Sequence, residues 1–253
     1  MPGFWVQPED VGENSLLLRG DEAHHLARVR RHRLGDQIEA VDGEGFCYRV
    51  RIDRIDGDEV EGAILERCAE KGESPVRLFL APALIKGQRF DFVVEKATEV
   101  GVAAIVPTIT ERGIVQSGAR AERKGERWQR LALAATKQCG RARVPRIEAT
   151  RSLDATLEYL GRECDAIWLA TPAGAALDPA AMLTLTRPRK LGLLVGPEGG
   201  FTQAEEERAR AVGAVPFAWG NRVLRADTAS VVLAALVLHK SEEALKREGG
   251  QLG

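Results

Sequence analysis

The sequence predicts an α/β protein in which a small β-rich domain precedes a larger domain with a mostly parallel sheet. Short apolar runs separated by Gly- and Asp-containing turns fill residues 1–72, a pattern typical of paired short strands. Beyond a linker at 71–75, apolar strand runs alternate with segments of helical periodicity, and this alternation indicates parallel strands. We therefore expect a first domain at 1–72 and a second at 73–247.

The composition is that of an ordinary globular protein. The 253 residues are 44% hydrophobic and 29% charged, with a formal net charge of −1. No apolar run approaches the roughly 20 residues that a membrane-spanning helix needs, and the first residues lack the plan of a signal peptide. Four scattered cysteines without a C-x-x-C pair favour a reduced protein over a disulfide framework or a metal site. We expect a cytoplasmic location, with no membrane partner and no metal.

The first domain is predicted to contain five short strands and one basic helix. The strands are expected at 4–6, 15–18, 37–41, 46–55 and 59–65, and the helix at 21–33. Between Arg19 and Arg33, five Arg stand against two acidic residues, and such a local basic surface suits a polyanion. A solvated charged face is the alternative for any run of this kind. The predicted phosphate contacts are Arg28, Arg30, Arg31 and Arg33.

The second domain is predicted to alternate five strands with helices. The strands are expected at 76–81, 103–107, 166–170, 191–195 and 215–219, and the helices at 90–100, around 128–139, and at 153–160, 203–211 and 228–246. The segment from Glu111 to Arg151 carries eleven Lys or Arg against four Glu. We predict a second polyanion-binding surface within this segment, with Arg141 and Arg143 among its contacts.

The stretch 191–205 joins a buried strand, a glycine-rich loop and the start of a helix. The loop at 196–200 contains three glycines and one proline, so its backbone can turn sharply and approach a ligand closely. Thr202 followed by Glu205 predicts a capping box. The spacing differs from that of a dinucleotide fingerprint or a P-loop. Two interpretations remain open: a ligand cradle at the end of a strand, or a tight turn that binds nothing.

Three strand ends of the second domain carry loops that we expect to converge, at 171–174, 196–200 and 220–227. Their residues are mainly neutral and apolar, which favours a pocket for an adenosyl group with a thioether or sulfonium tail. These patterns alone do not single out a chemistry.

Several separated motifs follow one another along nearly the whole chain. They are His24-His-Leu26, Lys86-Gly-Gln-Arg89, Glu95-Lys-Ala-Thr-Glu-Val-Gly101, Glu111-Arg112, Gly196-Pro-Glu-Gly-Gly-Phe-Thr202 and Gly220-Asn-Arg-Val-Leu-Arg-Ala-Asp-Thr-Ala229. In this order they closely resemble the RsmE family of SPOUT methyltransferases, whose members methylate N3 of a uridine in 16S ribosomal RNA. The resemblance implies a PUA-like RNA-binding first domain and a SPOUT second domain, with a parallel sheet and a C-terminal trefoil knot.

The resemblance also implies a cofactor and partners. The three loops would bind S-adenosylmethionine, and 16S rRNA or the small ribosomal subunit would be the substrate. The final helix, from Thr228 onward, would be knotted and form part of a homodimer interface, and core packing alone is its other possible role. Carried over by motif, the cofactor contacts are Leu169, Thr171, Pro172, Gly196, Glu198, Gly199, Gly200, Trp219, Gly220, Val223, Leu224 and Thr228.

Catalysis by such a protein requires the weakly acidic N3–H of uracil to lose its proton, and the three loops contain no histidine to act as the base. We hypothesise that Arg225 stabilises the developing uracil anion, with Glu198 or Asp227 accepting or relaying the proton. Alternatively, Arg225 only ties down the knot through a carboxylate. The family motif usually has Glu where this chain has Asp227, which is predicted either as a site residue or as the N-cap of the final helix.

Functions from other classes are a ribose 2′-O-methyltransferase, a non-enzymatic RNA-binding assembly factor and a Rossmann-type nucleotide enzyme. The missing G-x-G-x-x-G pattern counts against the last of these. Binding of S-adenosylmethionine would separate the enzymes from the assembly factor.

Overall fold

The computed structural model describes residues 3–113, 119–175 and 189–249, and the chain divides into two compact units. The first unit comprises Met1–Glu73 and Leu133–Val144, and the second comprises Ser74–Ala132 and Pro145–Gly253. Ser74 lies inside the predicted linker. The inclusion of residues 133–144 in the first unit was not predicted, because the periodicity of a helix shows which of its faces is apolar but not which unit that face packs against.

The first unit is built on a five-stranded sheet. Its strands are β1 (Phe4–Trp5), β2 (Ser15–Arg19), β3 (Gln37–Val41), β4 (Phe46–Asp56) and β5 (Glu59–Ala69). The strand order is β1-β3-β4-β5-β2, and every pair except β1–β3 is antiparallel. All five predicted strands are present. Strand β5 runs four residues further than expected, and the register of its pairing with β4 shifts between Arg49 and Val50.

The predicted basic helix at 21–33 is shorter than expected. It consists of α1 (Asp21–His24) followed by a π-helical turn, His25–Val29. The backbone N–H of Arg30 donates to the carbonyl of His25 at 2.9 Å, and Arg31 then adopts the left-handed conformation with a φ of 57°. Because that conformation is unfavourable within a right-handed helix, the residues from Arg31 onward continue as a loop.

The turn between β3 and β4 is organised by the buried carboxylate of Asp42. One of its oxygens accepts the backbone N–H groups of Glu44, Gly45 and Phe46 at 2.8–3.2 Å. The other oxygen accepts the hydroxyl of Tyr48 at 2.9 Å. Burial, together with this hydrogen bond, raises the pKa of Tyr48 to about 12. A single carboxylate therefore accepts hydrogen bonds from four donors of the hairpin.

The second unit is built on a six-stranded sheet in which every pair is parallel, as predicted. Its order is β13-β11-β12-β6-β7-β9, and a separate two-stranded sheet pairs β10 with β8. The strands are β6 (Arg77–Pro82), β7 (Ala104–Ile105), β8 (Thr108–Ile109), β9 (Arg146–Ile147), β10 (Arg151–Ser152), β11 (Ala166–Ala175), β12 (Lys190–Val195) and β13 (Val215–Phe217).

In the part of the chain that the structure describes, five helices accompany these strands: α2 (Arg89–Val100), α3 (Ala119–Cys139), α4 (Leu153–Glu163), α5 (Gln203–Ala211) and α6 (Ala226–Gly249). Helix α2 ends at Gly101, which has a left-handed φ of 107° as the C-cap pattern predicted. Helix α6 packs against α2 and against strands β6 and β12. Within the described residues, none of the helices combines the length and the apolar character needed to span a membrane.

The register of the central strands brings three chain segments to the same side of the sheet, where the carboxyl ends of β12 and β13 lie. Ala170 of β11 pairs with Val195 at the end of β12 and with Phe217 at the end of β13. Residues 191–195 of β12 are all buried, as expected of a central parallel strand. The segments that follow these three positions therefore start from the same level of the sheet.

Candidate functional site

A cavity of about 440 Å³ lies where the segments after these three strand positions meet. The loop after β12 and the loop between β13 and α6 form much of its wall, and Ala226, Ala229 and Leu233 of α6 complete it. This volume falls in the range of small-molecule and cofactor sites. The structure thus brings together parts of the three segments that the sequence suggested would converge, although residues 171–174, predicted as a loop, continue strand β11.

Most of the predicted cofactor residues line this cavity. They are Thr171, Pro172, Gly196, Glu198, Gly200, Trp219, Gly220, Val223 and Leu224. The hydroxyl of Thr171 also donates to Glu206 at 2.7 Å, which fixes the orientation of that side chain at the cavity wall.

Three predicted cofactor residues lie elsewhere, and we correct them. Leu169 is fully buried in the apolar core, because its side chain points to the opposite face of β11 from that of Ala170. Gly199 lies against the side chain of Arg112 and not in the cavity wall. Thr228 is exposed, and its hydroxyl contacts the carboxylate of Asp227 at 3.4 Å.

Some lining residues were missed by the sequence reasoning. Ala226, Ala229 and Leu233 follow each other at intervals of three and four residues, so they lie on one face of α6. That periodicity was visible in the sequence but indicated only core packing. Four further lining residues, Ala170, Pro197, Asn221 and Arg222, lie within the segments 169–172, 196–200 and 219–224 that were expected to supply contacts. The lining residues Val195, Phe217 and Ala218 lie outside those segments.

The glycine loop depends on glycine at two of its lining positions. A Cβ atom at Gly196 would lie 3.1 Å from the ring of Phe201, closer than most real contacts. Gly200 adopts a left-handed φ of 67° and donates its N–H to the carbonyl of Pro197 at 2.8 Å. The predicted capping box is confirmed: Thr202 and Glu205 exchange hydrogen bonds at 2.8 and 3.2 Å.

The predicted catalytic residues differ in their positions. Glu198 lines the cavity, and its carboxylate pairs with Arg89 at 2.9 Å. Arg225 is exposed and lies between the lining residues Leu224 and Ala226, although it is not part of the wall itself. No carboxylate of the described residues lies within ion-pair distance of Arg225, so the described structure gives no support to the alternative in which Arg225 ties down the fold through a carboxylate.

Asp227 does not occupy the N-cap position that the sequence left open. Helix α6 begins at Ala226, so Asp227 already lies in its first turn. The backbone N–H of Ala229 donates to the carbonyl of Arg225 at 2.7 Å, which closes that turn. The carboxylate of Asp227 accepts the N–H of the adjacent Thr228 at 2.8 Å and does not line the cavity.

The first predicted basic surface is exposed. Arg28, Arg30, Arg31 and Arg33, here called the arginine cluster, have solvent-exposed side chains. None of these four guanidinium groups has an ion-pair partner within the part of the chain that the structure describes. Val29 and Leu34 in the same segment are 62% and 64% exposed. The segment therefore offers unpaired positive charge beside apolar side chains, which suits a single-stranded nucleic acid.

The second predicted basic surface requires a correction. Arg141 is only 3% exposed, and its guanidinium binds both carboxylate oxygens of Glu73, at 3.1 and 2.6 Å. The Nε of Arg143 contacts both carboxylate oxygens of Glu70 at 3.0 Å. Because these cations are already paired within the first unit, we no longer assign them to RNA. Residues 114–118 of the predicted basic segment lie outside the described residues.

Comparison with known proteins gives consistent matches along the chain. A family model described as an RNA methyltransferase domain matches residues 72–238, and one described as an RNA methyltransferase PUA domain matches residues 18–65. The ribosomal RNA small subunit methyltransferase E of Synechocystis is 32% identical over 92% of this chain and 75% of its own length. The protein of the same name from Bacillus subtilis is 29% identical over 90% of this chain and 91% of its own length.

A solved structure is similar in fold as well as in sequence. It is a ribosomal RNA small subunit methyltransferase E from Neisseria gonorrhoeae bound to S-adenosyl methionine. The two chains are 30% identical, with a TM-score of 0.81, and the match covers 93% of this chain and 95% of the other. The similarity therefore extends over both units.

Proposed function

The chain belongs to the ribosomal RNA small subunit methyltransferase E family, and on that basis we propose that it transfers a methyl group from S-adenosylmethionine to N3 of a uridine in 16S ribosomal RNA. The observation that carries this proposal is the cavity walled by the glycine loop and by residues 217–224 at the ends of parallel strands. Ligands of open parallel sheets bind at this end of the strands.

The residues around the cavity fit S-adenosylmethionine. The wall is mostly neutral, with apolar side chains such as Val195 and Leu233 to contact an adenosyl group. Among the described lining residues, Glu198 alone has an acidic side chain and Arg222 alone a basic one, and the carboxylate of Glu198 already pairs with Arg89. When bound, S-adenosylmethionine supplies an activated methyl group.

The protein's own contribution is positioning and charge stabilisation. The residues around the cavity would hold the cofactor in one orientation and exclude water, and such positioning supplies much of the acceleration of a displacement reaction. Arg225, which has no ion pair with any described carboxylate, would hydrogen-bond a uracil carbonyl beside the cavity as negative charge develops. Glu198 is the better placed of the two candidate proton acceptors, because it lines the cavity and Asp227 does not.

The RNA substrate would be held by the arginine cluster of the first unit through its phosphates. A uridine inside a duplex cannot reach a methyl group in this cavity, so the target nucleotide must be unpaired or flipped out. Both requirements suit an RNA methyltransferase that acts on a structured ribosomal RNA.

We also propose that the protein is a homodimer formed through α6. Leu233, Ala234, Val237 and Leu238 on one face of this helix are buried, whereas Val232, Ala235 and Leu236 are only half-buried in the single chain. Burial of this second apolar face against another copy would be favourable. Light scattering at micromolar concentration is expected to give twice the mass of the 27.5 kDa chain, and the monomer mass would contradict the proposal.

The trefoil knot stays a prediction.

The proposed activity is tested with small ribosomal subunits from cells that lack the protein. Incubation with the purified protein and S-adenosylmethionine is expected to produce 3-methyluridine in 16S rRNA, detected by nucleoside mass spectrometry. A ribose-methylated nucleoside would indicate the 2′-O alternative. Binding of the cofactor by calorimetry without any methylated product would reject the proposed substrate, and no cofactor binding would favour the assembly factor.

A further inference from the structure

The turn after β8, Glu111–Arg112, contacts the glycine loop from outside the cavity. A guanidinium nitrogen of Arg112 donates to the carbonyl of Gly199 at 2.8 Å. The aliphatic stem of Arg112 covers the same residue, because a Cβ atom built on Gly199 would lie 3.3 Å from the Cδ of Arg112. The close contact with Arg112 therefore favours glycine at position 199, although this residue does not line the cavity.

The position of this turn is fixed by a buried carboxylate. Glu205 is only 1% exposed, and one of its oxygens accepts the N–H of Thr202 in the capping box at 2.8 Å. The other oxygen accepts the backbone N–H of Glu111, also at 2.8 Å. The carboxylate of Glu111 in turn pairs with Arg208 at 3.2 Å. A residue needed only for capping would use one oxygen, whereas Glu205 uses the second to dock the turn that carries Arg112.

The other arginine that reaches the loop makes a different contact. Arg89 pairs with the carboxylate of Glu198, and both side chains are about half exposed, at 47% and 48%. Exposed ion pairs of this kind restrain little, since solvent competes for both partners. The hydrogen bond of Arg112 is also exposed to solvent, but its acceptor is a main-chain carbonyl, so it acts on the backbone of the loop directly.

We propose that Arg112 is a positioning residue for the cofactor, which fixes the peptide after Gly199 and thereby orders the glycine loop before the ligand binds. A loop with three glycines in five residues loses much conformational entropy when it becomes ordered. When the protein has already ordered it, that cost does not reduce the affinity for the ligand. This inference rests on the proposed use of the cavity for S-adenosylmethionine.

The first test compares the wild-type protein with Arg112→Ala, Arg112→Lys and the control Arg162→Ala. Arg162 is an exposed arginine of α4, paired with Glu158, and its loss should change nothing. Arg112→Ala is expected to raise the calorimetric Kd for S-adenosylhomocysteine, and the KM for S-adenosylmethionine, by about 10-fold, with kcat at saturating cofactor almost unchanged. Arg112→Lys should recover part of the affinity, because its ammonium group can still donate one hydrogen bond.

The outcomes separate the alternatives. A raised KM for RNA with an unchanged cofactor Kd would overturn the proposal, because Arg112 would then serve the RNA. A lowered melting temperature in Arg112→Ala with the same affinity as the wild type at low temperature would also overturn it. If the wild-type protein does not bind S-adenosylhomocysteine at all, the proposed function fails instead.

A double-mutant cycle provides the second test. Gly199→Ala places a methyl group against the stem of Arg112 and should weaken cofactor binding in the wild-type background. In the Arg112→Ala background the same methyl group keeps only an ordinary contact with the Cβ of residue 112, at 3.5 Å, so Gly199→Ala should cause little further loss. Additive losses in the double variant would show that the two residues act independently, and the proposal would then be wrong.

Discussion

Replacement of Arg225 by Ala is expected to lower kcat by about 100- to 1000-fold, the effect of removing one hydrogen-bond donor to a developing anion. Arg225 is exposed, has no carboxylate partner among the described residues and lies between two residues that line the cavity. It is therefore free to bind the nucleobase and is not committed to the fold. The measurement is the single-turnover rate of methylation at saturating cofactor, together with the calorimetric Kd for S-adenosylhomocysteine, which should change by less than about 3-fold.

The Arg225→Lys variant provides the matched control for charge. Lysine keeps the positive charge but loses the planar fork of two parallel donors, so a rate between those of Ala and wild type is expected. Arg162→Ala removes an exposed arginine of α4 that pairs with Glu158, and a loss of equal size in that variant would indicate a general effect of charge instead. Full turnover by Arg225→Ala with unchanged cofactor affinity would reject the catalytic role.

The order of strands and helices was predictable because each of these elements depends mainly on residues that are neighbours in the sequence. Residues 191–195 form a continuous apolar run, as a strand buried on both faces requires, and the run lies within β12. The pair Thr202 and Glu205 predicted the start of α5 at the correct residue, since a capping box acts only between neighbours in sequence. The glycine loop between these two elements followed from the same stretch.

The predictions that failed concern residues whose hydrogen-bond and ion-pair partners lie far away in the sequence. Arg141 and Arg143 belong to a basic run, but they pair with Glu73 and Glu70 about seventy residues earlier. A charge count cannot distinguish such paired cations from those of the arginine cluster, which have no carboxylate partners in the described structure. The docking of Glu111 on Glu205 spans 94 residues and was hidden for the same reason.

The second large effect is expected at the arginine cluster. Replacement of all four residues by Gln should weaken binding of a 16S rRNA fragment at physiological salt by about 100-fold or more, because each lost phosphate contact also forfeits counterion release. The plot of log K against log salt should become shallower by about 3, given about 0.7 per contact for single-stranded RNA. Fluorescence anisotropy titrations at several salt concentrations measure both quantities.

The control uses arginines of the same unit that already have partners. Arg49, Arg51 and Arg54 are exposed on β4, and each pairs with a carboxylate at 2.8 to 3.3 Å. Because their charge is locally balanced, their replacement by Gln should change the affinity by less than about 2-fold, as for exposed ion pairs. Equal losses in both sets of variants would mean that RNA responds to the number of arginines and not to their pairing. A salt slope unchanged in the cluster variant would place the RNA on another surface.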